Sequence, residues 1–202
     1  MKEQQDYIRD IAEMRSMMER SSRFLALSGM AGILAGVLAL LGAFVAFRML
    51  GFNPQTISDT GAGSVTQLIL IALAVFFLAA TTAFYFTWKK ASQRGEKLWN
   101  PVSRRLLLNI SIPLISGAVL LVIFVEKDLI GLLAPMSLLF YGLALVNASK
   151  FTYDEIRVLG IVQILLGLTG AWFIHLGLIC WATGFGVAHI IYGIYMHNRY
   201  GK

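Results

Sequence analysis

Of the 202 residues, 57% are hydrophobic and only 14% charged, with a mean hydropathy of +0.71, whereas about a quarter of the residues of a soluble domain are charged. This composition excludes an ordinary soluble enzyme and predicts an all-α, polytopic membrane protein; once several spans of roughly 20 residues are counted, no length remains for a separate catalytic domain. The formal net charge of +6 raises nucleic-acid binding, which the distribution of lysine and arginine along the chain decides.

The first 23 residues read as an amphipathic helix. Tyr7, Ile11, Met14 and Met18 recur at helical steps and form one stripe, while Arg9, Glu13, Glu19 and Arg20 project elsewhere. Five acids balance five bases, unlike the cationic face of a surface-seeking helix. The stripe is therefore expected to contact protein: the connection over residues 89–105, a second subunit, a cytosolic partner, or the chain's own core. Because the segment mixes acids with bases and leads into a long apolar run, it is not expected to be a cleavable signal, and the first span is expected to stay in the mature chain.

Six apolar stretches follow, at approximately 24–47, 65–88, 106–125, 129–148, 158–174 and 178–197. Each is long enough to cross hydrocarbon as a helix that satisfies its own backbone. Lys2, Arg9, Arg15, Arg20 and Arg23 precede the first, and Lys89, Lys90, Arg94, Lys97, Arg104 and Arg105 lie between the second and third. Lys150 and Arg157 flank the fourth connection, and Arg199 and Lys202 the tail; the alternate connections hold only Arg48 and Lys127. Fifteen bases against two predict cytosolic termini and placement in the bacterial cytoplasmic membrane. The basic excess is then topology, and nucleic acid is not an expected partner.

The first span carries Ser28, Gly32 and Gly36 at four-residue steps; Gly160, Gln163, Gly167 and Gly170 mark one side of the fifth, and Ala182, Gly186 and Gly193 one side of the sixth. Small residues at such spacing admit close helix approach where lipid supplies no hydrophobic drive, and a homo-oligomer is expected. The segment Gly29–Gly36 echoes Gly160–Gly167 at four of eight positions, which fits either repeated helical hairpins or the shared composition of spans. In its three-hairpin plan, and in Gly160, Gly167, Gly170 and the run Gly184–Gly186 to Tyr192–Gly193, the chain resembles small six-span bacterial inner-membrane proteins of the HdeD-like kind. The resemblance implies a link to acid stress and no particular chemistry.

No acid or base must sit deep in a span, which disfavours carboxylate-driven pumping and carboxylate-pair catalysis. His189 is the deep titratable residue. With a hairpin turn at Leu176, His189 and Gln163 lie thirteen residues either side of it and are expected at equal depth, as a structural hydrogen bond or as a ligand or proton site. Tyr85, Asn109, Asn147 and Tyr192 favour the cytosolic half, and Pro113 and Pro135 are expected to free the carbonyls of Asn109 and Gly131. Together these predict a cytosol-facing polar cavity that binds or passes a small solute or lipid; the alternative is a scaffold or sensor acting through the amino-terminal helix. The lone cysteine, Cys180, rules out an intramolecular disulfide. His175, His189 and His197 are spread along the last hairpin, and no metal, cofactor or enzymatic activity is expected.

Overall fold

The computed structural model describes residues 27–49, 62–93, 95 and 98–200. The predicted amino-terminal helix, with Tyr7, Ile11, Met14 and Met18, lies outside the described residues. Within them the chain is all-helical, with six helices long and apolar enough to cross a membrane. These are α1 (Gly29–Met49), α2 (Ala62–Gln93), α3 (Pro101–Glu126), α4 (Ile130–Phe151), α5 (Glu155–Trp172) and α6 (Ile174–Tyr200).

Local sequence explains where the helices begin and turn. At the start of α3, the Asn100 side chain accepts from the Ser103 amide at 2.8 Å, Ser103 Oγ accepts from the Asn100 amide at 2.9 Å, and Pro101 occupies the first turn. Between α3 and α4 the chain reverses at Asp128, with φ of 55°, a left-handed conformation that aspartate tolerates better than most residues. Pro135 falls in the first turn of the α-helix Leu133–Ala148. An amide there has no partner within the helix, so Pro135 fits without breaking a span, contrary to the expected mid-span disruption. Among the described residues, only Pro113 is interior to its helix.

The packing is antiparallel and runs on glycine. Gly142 of α4 and Gly160 of α5 face each other reciprocally: a Cβ on either would lie 2.7–2.8 Å from the other's carbonyl oxygen. Gly167 meets the backbone of Pro135 and Leu139 in the same way. On the other side of the bundle Gly29, Gly32 and Gly36 of α1 approach the backbone of His197, Gly193, His189 and Gly186 of α6. The glycine faces of the first and sixth spans therefore meet each other. The face predicted on α5 divides: Gly160 and Gly167 serve α4, Gln163 bonds to α6, and Gly170 lies against both, near Pro135 of α4 and Cys180 of α6.

Contacts along the helices link α2 to α1, α1 to α6, α6 to α5 and α4, α5 to α4, and α4 to α3. Among the described residues this is an open chain of helices, not a closed ring. Although α2 and α3 are consecutive in sequence, they do not pack along each other. All six helices are drawn together at the end where α1, α3 and α5 begin and α2, α4 and α6 finish, here termed the basic end. Ala91, Leu106, Ala148, Tyr153, Ile156 and Met196 form a buried cluster there, with Leu27 and Tyr192 against it. Lys90 ties it further: its Nζ donates to the carbonyls of Leu27 (2.8 Å) and Tyr200 (3.2 Å), and the second of these is at the negative end of α6.

Candidate functional site

The most enclosed polar group is built where α6 departs from regular geometry. The segment Gly177–Trp181 is α-helical, Ala182–Ala188 is a π-helical stretch, and His189–Tyr200 resumes the α-helix. Such widenings occur mostly as short insertions and often at functional sites. Here the sequence supplies a local reason. Gly184 lies directly against Gln163 of α5 and Leu138 of α4; a Cβ would collide with Gln163 Oε1 and sit 2.5 Å from Leu138 Cδ2. Leu138 and Gln163 are both fully buried, so only glycine allows this approach.

The Gly184 carbonyl accepts from Gln163 Nε2 at 2.8 Å and stands 2.9 Å from His189 Nδ1. A carbonyl only accepts, so Nδ1 carries the ring proton and donates it; Nε2 is then free to accept from the Tyr141 hydroxyl at 3.0 Å. The 3.3 Å approach of Gln163 Nε2 to His189 Nδ1 is thus donor against donor and contributes no hydrogen bond. Turning the Gln163 amide would set oxygen against the Gly184 oxygen, so the amide orientation is also fixed by its surroundings. One acceptor remains without a hydrogen-bond donor: the buried Gln163 Oε1. It faces the Cα of Gly184, where a weak Cα–H···O contact is the available compensation.

Aromatic rings shield this cluster. Trp181, Phe185 and His189 form a stripe at four-residue steps on α6, with Phe185 stacked on His189 at an interplanar angle of 19° and Tyr141 tilted against both. The cluster is therefore a buried hydrogen-bonded core. Its histidine tautomer is fixed, with Nδ1 donating to the Gly184 carbonyl and Nε2 accepting from the Tyr141 hydroxyl.

The structure brings His189 and Gln163 into contact and adds Tyr141, which sequence reasoning missed. The other predicted cavity residues are disposed differently. Tyr192, one turn along α6 from His189, packs on the buried cluster of the basic end. The Asn109 amide donates to the Arg105 carbonyl of its own helix at 2.8 Å. Tyr85 is 52% exposed on α2, edge-on to Phe86, and Asn147 is half-buried. Thr81, Thr82 and Ser111 likewise bond back to carbonyls three or four residues earlier in their own helices. Among the described residues no group of three histidine, cysteine or acidic side chains gathers as for a metal ion.

A second feature arises from the open edge of the bundle. Val75 of α2 lies against Gly42 of α1; by the helical repeat, Phe77 and Phe84 are on the opposite side. On α3, Gly117 meets Phe140 of α4, which places Leu108 and Ile115 opposite. All four of these outward residues are large, apolar and exposed. The two helices thus each leave an apolar face unpaired among the described residues, and they are joined at the basic end by the buried Ala91 and Leu106.

Fold and site together define a bundle of helices long and apolar enough to cross a membrane, with a buried polar centre in α4–α6 and unpaired apolar faces on α2 and α3. No family model, curated protein or solved structure matches the chain.

Proposed function

We propose that the chain is a non-enzymatic integral membrane protein, inserted with its basic end in the cytosol, that holds a lipid or a similar apolar amphiphile in the seam between α2 and α3. One observation carries this reading: the helix contacts form an open chain whose gap falls between two consecutive helices, each packed along a single neighbour. Exposed apolar surface on this scale is costly in water and calls for lipid or protein cover. The basic excess supports the orientation. In this reading the Tyr141–His189–Gly184–Gln163 cluster is structural; it fixes the register of α6 on α4 and α5, and the seam carries the function.

A photo-crosslinking residue at Phe77 or Ile115 tests the proposal in gently extracted protein. Adducts with the mass of a phospholipid at those positions, and not at the equally exposed Val158 and Leu165 on α5, support it. Equal lipid labelling at all four positions would reduce the seam to ordinary lipid-facing surface.

The unburied apolar window of α2 also favours a second reading, a subunit interface in a homo-oligomer or scaffold. Crosslinks from Phe77 to a second copy of the chain would establish that reading and displace the first. The HdeD-like resemblance is compatible with either.

A further inference from the structure

The basic end carries exposed bases that form no ion pair among the described residues. Lys90 caps α6, and Arg199 lies 3.6 Å from Glu155. Lys89, Arg104 and Arg105 are exposed and, among the described residues, none has a carboxylate within ion-pair distance. All three flank the point where α2 and α3 meet: Lys89 is two residues before Ala91, and the two arginines directly precede Leu106, both members of the same buried cluster. The capping interactions of Asn100 and Ser103 hold the first turn of α3, so Arg104 and Arg105 are presented from an ordered helix start. Trp88 and Trp99, 52% and 71% exposed, flank the set with rings of the kind that settle at the headgroup level of a bilayer.

Resting on the lipid reading of the seam, the geometry points to an anionic phospholipid as its occupant. The phosphate lies with Lys89, Arg104 and Arg105, and an acyl chain runs along the unpaired faces of α2 and α3. Bases at a cytosolic boundary also follow from topology alone, so the inference requires these three to act differently from other bases at the same end. Lys150 and Arg157 are equally exposed. They belong to α4 and α5, whose mutual contact closes the bundle there, and they provide the control.

The test uses full-length protein in micelles containing equimolar phosphatidylglycerol and phosphatidylcholine with identical acyl chains, read by native mass spectrometry. The wild type should retain phosphatidylglycerol preferentially, on the order of tenfold. K89Q/R104Q/R105Q should bind both lipids equally, and K150Q/R157Q should keep the preference. Should the triple variant fail to fold, K89Q and R105Q singly should each lower the preference. Wild-type parity with both lipids still bound would overturn the headgroup inference and leave the seam standing, whereas retention of neither lipid would remove the seam reading as well. An equal loss of preference in K150Q/R157Q would show diffuse attraction to the basic end and overturn the site. Displacement by millimolar inorganic phosphate would assign the bases to a free anion and also overturn it.

Discussion

Replacing either glycine of the α4–α5 contact with alanine should be costly, and replacing both should cost little more than one. A Cβ at Gly142 would lie 2.7 Å from the Gly160 carbonyl oxygen, and one at Gly160 would lie 2.8 Å from that of Gly142. Ordinary contact begins near 3.4 Å, so the helices must separate by about 0.6 Å. A gap of 0.5–1 Å forfeits roughly a quarter to a half of each dispersion well it opens, and core overpacking costs about 1–3 kcal/mol. The obstructing atoms are backbone oxygens that cannot rotate away, which places G142A and G160A each at about 2–3 kcal/mol. Once the first methyl has parted the helices, the second enters space already opened, so G142A/G160A should fall about 2 kcal/mol short of additivity. Equilibrium unfolding in mixed micelles, followed by helical circular dichroism, measures all four corners of the cycle. Single costs below about 0.5 kcal/mol, or costs that simply add, would refute reciprocal backbone contact.

Three further expectations follow from the hydrogen bonds. His189→Leu leaves the Tyr141 hydroxyl without its acceptor and should destabilise by about 1–3 kcal/mol; Tyr141→Phe added to it should recover part of that loss, and an additive double variant would break the proposed coupling. Lys90→Met removes the donor that joins Leu27 and Tyr200 and should cost about 1 kcal/mol, read as a lower midpoint in the same unfolding assay; an unchanged midpoint would contradict the tie. T81V/T82V should stay within about 0.5 kcal/mol of the wild type, because both hydroxyls bond to carbonyls of their own helix. A larger loss would show that they serve a neighbour.

The spans were legible because hydropathy is a local property: a run such as that of α3 or α5 declares its length without reference to its neighbours. The contact of Gln163 with His189 was legible for a related reason. Only a few residues separate α5 from α6, and the short hairpin fixes their relative depth. Tyr141 was not legible, since α4 reaches α6 through a non-local contact whose register no connection sets. The same limit divided the α5 glycine face, where periodicity showed that Gly160 and Gln163 lie near each other but not that they meet different helices. Pro135 misled because sequence places it inside an apolar run, while the helix proper begins only two residues earlier. The open edge between α2 and α3 depends on the sum of all pairings, which no single span encodes.

That open edge is the central claim, and the distance across it tests it most directly. In a Cys180→Ala background, nitroxides on F77C and I115C in bilayers report the separation of α2 from α3 by pulsed electron resonance. Dilution with unlabelled protein isolates the distances within one chain. The account predicts a separation greater than for a labelled pair on the packed helices α4 and α5, with a distribution that narrows when phosphatidylglycerol is restored to delipidated protein. A short, narrow distance equal to that of the packed pair, with or without lipid, would mean that the helices close into a ring and leave no seam to fill.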